Sequence, residues 1–380
     1  MPLTNVRIAP GFNKADTPSG AEGQWIDGDF VRFRYGQPEK IGGFTAIGQE
    51  TVSGPTRAQH TWTDLEGNRY AALGTSKALY IYYEDKFYDV TPLATALTGA
   101  TFTSTQNQNI VTVNKTSHAL DVGEYITFTS VTLPGGGATS FTVANFQDFT
   151  YEVLTAPNAN TFTIQMKSNE TGTGMSSAGS ASINPYEEIG PTIQTYGYGW
   201  GTGTWSRGTW GSGTTSSTVI LDPGTWSLDN FGQQLIATVK DGKTFVWNPG
   251  VSNPLEQRAV IMSGAPTASR LTITSDRDRH VVHFGTETTI GDSTTQDPMF
   301  IRFSDQENFS VYQPTSINTA GTFRLDTGNK IVAAVSGKDY NLILTDQAAY
   351  TMQFVGPPFT FSIRQVGSNC GCIGQHATVY

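Results

Sequence analysis

Three stretches of this chain share one layout. Residues 339–354 (DYNLILTDQAAYTMQF), 69–83 (RYAALGTSKALYIYY) and 234–247 (QLIATVKDGKTFVW) each run from a short apolar strand through a polar turn into a strand carrying Tyr, Phe or Trp. A fourth, shorter stretch begins at Arg279 (RHVVHFGTE). Apolar runs of this length, joined by turns of Thr, Asp and Gly, read as β-hairpins. A hairpin cannot bury an apolar face alone. Repeated hairpins must therefore pack on one another, as a sandwich or a ring of blades.

Nothing competes with that reading. No long run places apolar residues at i, i+3, i+4 and i+7, whereas 41 Gly and 18 Pro sit among many Thr, Ser, Val, Tyr and Phe. That is the vocabulary of short strands and frequent turns. The sequence predicts an all-β fold: a β-propeller-like body with an inserted small β-barrel or sandwich domain.

In chain order, residues 1–24 are polar, carry Pro10, Gly11 and Pro18, and read as an extended N-terminal arm. Residues 25–97 form a first blade region. In WIDGDFVRFRYGQPEKIGGF (25–44), Arg32 and Arg34 alternate with Val31, Phe33 and Tyr35, which places both arginines on one face of a strand, with turns over 36–43. Such a face is either solvated and ion-paired or a contact with a partner subunit. The strands AQHTWTD, RYAALG, ALYIYY and KFYDV then give a four-stranded meander of blade size.

Residues 98–185 turn rich in Thr, Ser, Gly and Asn and interrupt the hairpin pattern, so they read as the inserted domain. NIVTVNKTSHAL, VGEYITFTSVT, TSFTVANFQDFTYEVLTA and NTFTIQMK alternate at period two. Residues 168–182 read as its flexible exit. Residues 186–225 form a Gly/Trp-rich loop, and Trp200, Trp205 and Trp210 recur between glycines. Flat aromatic faces serve either as anchors on a neighbouring surface or as a sugar-stacking platform. Residues 226–380 return to blades, with residues 377–380 read as the start of a strand and the chain expected to continue beyond.

Chemistry-bearing motifs are missing from the sequence. There is no G-x-S-x-G, H-E-x-x-H or G-x-x-x-x-G-K-[ST]. The Asp-box of sialidase-type propellers is not found, the nearest text being DPGTW at 222–226. His280 and His283, three apart on a strand, point to opposite faces. Cys370 and Cys372 are too close for an unstrained disulfide in a strand; with His376 the one neighbouring ligand type, they read as two reduced thiols. No catalytic, cofactor or metal residues are assigned, and the chain reads as a non-enzyme. A net charge of -9, from 23 basic and 32 acidic residues, excludes a protein that grips phosphates with clustered Lys and Arg. No apolar run is long enough to span a membrane.

The tracts 25–44, HTWTDLEGNRYAALGTSKALYIY, DRDRHVVHFG, DPMFIRFSDQENFSVYQP and GNKIVAAVSGKDYNLILTDQAAYTMQFVGPPFTFSIRQVG together resemble the tail nozzle proteins of short-tailed bacteriophages. These are also called tail tubular protein B or packaged-DNA stabilisation proteins. The resemblance spans residues 25–95 and 225–380. It implies a propeller protomer, made in the host cytoplasm, in a hexameric ring of the virion. The ring would contact the portal or adaptor and tail-fibre or needle proteins, extend the DNA channel, and hold packaged DNA until ejection. Trp200, Trp205, Trp210, Arg32 and Arg34 are then candidate subunit-interface anchors. The rival reading is a carbohydrate-binding receptor-recognition tail protein built on the Gly/Trp tract.

Overall fold

The computed structural model describes residues 8–46, 51–191, 222–357 and 359–379. The chain divides into two compact units, Met1–Gln49 and Glu50–Tyr380.

In the smaller unit, β1 (Ala9–Phe12) pairs in parallel with β2 (Gln24–Trp25). Residues 9–25 thus close a loop, where an extended arm was expected. The Asn13 side chain closes it by accepting the backbone N–H of Ala15 and donating to Gln24 at 2.7 Å. A hairpin follows, β3 (Val31–Arg34) and β4 (Gln37–Lys40). Tyr35 and Gly36 turn between them with φ of 50° and 78°, the primed geometry that matches strand twist. Residues 37–40 are therefore a second strand and not a run of turns.

The larger unit is all-β, with a propeller-like body and an inserted β-domain. Its first blade is the meander β5 (Thr56–Thr63), β6 (Arg69–Thr75), β7 (Leu79–Tyr83) and β8 (Lys86–Asp89). Tight turns set the register. Glu84 and Asp85 both take positive φ between β7 and β8.

The insertion is one seven-stranded sheet in the order β12-β11-β15-β9-β10-β14-β13. Its elements are β9 (Leu97–Ser104), β10 (Ile110–Asn114), β11 (Tyr125–Thr132), α1 (Val143–Gln147), β12 (Tyr151–Glu152), β13 (Thr155–Asn158), β14 (Thr161–Gln165) and β15 (Ala178–Pro185). Two expectations fail here. Residues 143–147 alternate like a strand but form one helical turn, held by a reciprocal Thr142/Asn145 capping box. The turn aims Phe146 into the core, 4.5 Å from the Phe102 ring, and that burial outweighs local propensity. Residues 178–185, within and beyond the stretch read as a flexible exit, are a central strand between β11 and β9. Small residues are needed there. Gly179 has a φ of 78°, and a Cβ on it would run into the Thr132 carbonyl.

Three more meanders complete the body. Blade 2 is β16 (Trp226–Phe231), β17 (Gln234–Val239), β18 (Thr244–Trp247) and β19 (Val260–Ile261). Blade 3 is β20 (Leu271–Ser275), β21 (His280–Phe284), β22 (Phe300–Phe303) and β23 (Gly321–Arg324). Blade 4 is β24 (Ile331–Ser336), β25 (Asn341–Thr345), β26 (Ala348–Gly356) and β27 (Thr360–Ser368). Residues 377–379, expected to start a strand, lie outside any strand.

The first strands β5, β16, β20 and β24 lie side by side in that order, so the blades stack face to face around a common edge. Each junction has its own core. Trp62, Tyr70, Ile81, Trp226, Leu235 and Trp247 fill the first, and Ile273, Phe284, Phe303, Ile343, Tyr350 and Phe361 the third. A buried side chain of this size contributes about 2–3 kcal/mol. At the first junction the fit is backbone-tight: a Cβ on Gly74 would sit 2.5 Å from Cδ1 of Trp226, whose Nε1 donates to the Thr75 carbonyl at 3.0 Å.

Candidate functional site

The aligned first strands are the natural place to look for a site, because three blades meet there. His60 on β5 bonds Asn230 on β16 at 2.8 Å and lies 3.9 Å from Asp229. Asp229 in turn accepts the Thr274 N–H of β20 at 2.6 Å. Burial pushes the Asp229 carboxyl above its ordinary range, against the Thr274 hydrogen bond and the nearby His60. Beside it an opening of about 270 Å³ is lined by Ser227, Asp229, Ala334, Ser336 and His376, at the small end for a ligand pocket. A second opening of about 60 Å³ adjoins Asp222, Lys240, Arg270 and Lys330. Lys240 is 2.9 Å and Arg270 3.9 Å from Asp222. The hydrogen bond from Lys240, more than the surrounding charge, lowers the Asp222 pKa. These cations are neutralised locally.

Between blades 2 and 3 lies a polar core. His283 Nδ1 is 3.1 Å from the Ser269 hydroxyl and 3.2 Å from that of Thr272, and its Nε2 is 3.1 Å from the Tyr312 hydroxyl. Burial, then the Arg302 charge, pushes the imidazole pKa down to about 3, so it is neutral. Arg302 donates to the carbonyls of Glu287 and Thr288, the latter at 2.9 Å. Glu287 accepts the Thr267 N–H at 2.9 Å and the Gly291 N–H at 2.7 Å. A serine beside a histidine is the beginning of a nucleophile–base pair. Here both groups are fully buried, and every polar contact joins one strand or loop to the next.

A third cluster fastens the insertion to the body. Asp89, at the end of blade 1, accepts from the Tyr186 hydroxyl and from Arg258 Nη2, the latter at 3.1 Å. Arg258 also donates to the Thr91 carbonyl at 2.9 Å and lies 4.8 Å over the Tyr186 ring. Burial, then the Asp89 charge, holds the Tyr186 phenol well above its usual range. The chain leaves blade 1 and returns side by side: Leu93 bridges Tyr186, and the N–H of Glu187 meets the Pro92 carbonyl at 2.9 Å. No sequence motif flagged Asp89, Tyr186 or Arg258, which lie up to 169 residues apart.

Of the residues singled out from sequence, Trp200, Trp205 and Trp210 lie outside the described residues. Arg32 is exposed on β3 and pairs across the hairpin with Glu39 at 3.2 Å, and Arg34 stacks 5.4 Å over the Tyr35 ring. Cys370 and Cys372 are free thiols in the segment after β27, where their N–H groups bond the carbonyls of Gln347 and Thr345. His280 and His283 are both buried, His280 bonding the Ser304 carbonyl at 2.8 Å. Among the described residues no group of three or more His, Cys, Asp or Glu is placed to hold a metal ion. No helix among them is long and apolar enough to cross a membrane.

No family model matches the sequence, and no curated protein matches it. Among solved structures the chain is similar to the phage phi92 endosialidase, at 12% identity and a TM-score of 0.28, over 88% of this chain and 53% of that one. The chain thus spans about half the length of that protein.

Proposed function

We propose that this chain is a structural component of a bacteriophage tail, a nozzle or head-to-tail connector protein of the virion. In this reading copies of the chain form a ring, with a hexamer as the expected number. The ring sits against the portal or adaptor and tail-fibre or needle proteins, extends the DNA channel and retains packaged DNA until ejection. One observation carries the reading. Strongly perturbed titratable groups usually gather where chemistry happens, yet here they join one element to the next. Asp229 ties three blades, His283 sits between two, and the Asp89–Tyr186–Arg258 cluster fastens the insertion. That is how a load-carrying scaffold uses charge. Low charge with an acidic balance also suits a conduit wall, since an attractive one would hold the phosphate backbone.

Negative-stain imaging of tails, with antibody labelling of this protein, tests the proposal. Label on a ring near the portal supports it; absence of the protein from tails overturns it. Label at fibre tips, with saturable glycan binding lost in Trp205→Ala, favours the receptor-binding alternative built on the Gly/Trp tract.

A further inference from the structure

Three pieces of chain meet where the insertion leans on blade 1: the turn from β6 to β7 (residues 76–77), the loop into β11 (residues 121–125) and the segment after β15 (residues 186–191). Between them lies an opening of about 550 Å³. Clefts between domains are common ligand sites, and this volume is within their usual range. Its charge is one-sided. Lys77 is paired with Glu152 at 3.1 Å and Lys243 with Glu187 at 2.7 Å. Asp121, Glu124 and Glu188 also line the opening and have no ion pair among the described residues. Burial holds the Glu124 carboxyl above its ordinary range, and the charges of Asp121 and Glu188 add to it against a backbone hydrogen bond at Asp121. The three carboxylates thus act on one another. A separate observation points into the same opening. Ser76, which lines it, is 5% exposed, and its Oγ has no hydrogen-bond partner among the described residues. A buried hydroxyl is rarely left so.

The walls narrow the kind of ligand. Among the described residues no three acidic groups are placed to hold one metal ion, so the carboxylates suit positive charges that stand apart. Both tyrosines of the cleft already carry a cation on a ring face, Lys77 Nζ at 5.0 Å from Tyr125 and Arg258 at 4.8 Å from Tyr186. Val122 and Ile189 add apolar lining, which the methylene stem of an amine can cover. We propose that this cleft binds a linear oligoamine, a short methylene chain carrying two or three ammonium groups. Its ammonium groups meet Asp121, Glu124 and Glu188, and one of them donates to Ser76 Oγ. An ammonium has donors only, which is what carboxylates and an unpartnered hydroxyl oxygen accept. Asp121 and Glu124 belong to the insertion and Ser76 to blade 1, so a bound amine also bridges the two. The site goes beyond the tail assignment and does not depend on it.

Isothermal titration calorimetry of the full chain with spermidine at low ionic strength tests this. One saturable site is expected in the wild type and in Glu66→Gln, a control at the exposed turn on the opposite end of β6. Glu124→Gln should weaken binding about fivefold, the size of one partly exposed charge pair. Ser76→Ala should weaken it with net charge unchanged. Circular dichroism checks folding; should Glu124→Gln fail to fold, Glu188→Gln, at an exposed position, gives the same reading. No saturable heat, binding indifferent to these substitutions, or magnesium displacing spermidine at equal concentration overturns the inference. Each of those results leaves the tail assignment standing, and absence of the protein from tails leaves the amine site standing.

Discussion

Thr75 in blade 1 and Thr345 in blade 4 occupy equivalent places and make the same bonds. Thr75 Oγ1 accepts the N–H of Ala78 at 2.9 Å and of Lys77 at 3.2 Å. Thr345 Oγ1 accepts the N–H of Ala348 at 2.8 Å and of Gln347 at 3.2 Å. Both threonines are fully buried. Each side chain replaces the partners that the backbone loses where the second strand turns into the third.

Replacing Thr345 by Val keeps the shape and deletes the acceptor, leaving the buried Ala348 N–H unpaired and the Gln347 N–H without its partner. The expected loss is about 1–3 kcal/mol, read as a lower denaturant midpoint, with Thr345→Ser close to wild type. Thr75→Val should behave alike, and a null effect in either would refute the shared role.

Gly74→Ala pushes a methyl group to within 2.5 Å of the Trp226 ring. Overpacking of this kind costs about 1–3 kcal/mol. The measurement is thermal unfolding together with tryptophan emission. An unchanged melting temperature would show that the first junction yields.

Glu170 is fully buried in the insertion and accepts from Ser104 and Thr139, from the N–H and hydroxyl of Ser140, and from the Gly172 N–H. These bonds overcome burial and hold its pKa at about 2, below the ordinary 4.5. A depressed carboxyl stabilises the fold fully above 4.5 and loses that contribution as pH falls towards 2. Amide protection across residues 137–142, taken relative to the intrinsic exchange rate at each pH, should be high at neutral pH, fall as pH drops from 4.5 towards 2, and be low at all pH in Glu170→Ala. Protection factors that stay constant from neutral pH to pH 2 in the wild type would contradict this.

His283 works through the opposite ionisation. Its folded pKa of about 3 lies below the ordinary 6.5, so between those values the unfolded chain binds a proton that the folded chain does not. Stability therefore falls on acidification through that window, by about 1.4 kcal/mol per pH unit from this group. His283→Gln should flatten the slope, and the His283 ring signals should show no titration from pH 8 to 5 in NMR. A midpoint near 6.5 would exclude the sealed polar core.

The blades were legible because their hairpins carry strong local signals. DQAAYTMQF and KDGKTFVW hold their turn and strand residues within ten positions. What the sequence hid was decided at a distance. Residues 178–185 look like a linker until β9 and β11 close on both sides of them. Phe146 reads as one beat of an alternation until the core of the insertion claims it. His283 and Arg302 look like surface residues of amphipathic strands, yet the neighbouring blade covers that face as well. Asp89, Tyr186 and Arg258 come together only through the return of the chain after the insertion.

That return has a further consequence. Because Pro92 and Glu187 stand side by side, a short turn bridging those two positions would leave the meander of blade 1 with both its ends in place, at the cost of the Lys77–Glu152 and Ser53–Tyr125 contacts. A domain joined to its body by two adjacent chain crossings can be removed or replaced without breaking the run of blade 1 into the blades that follow.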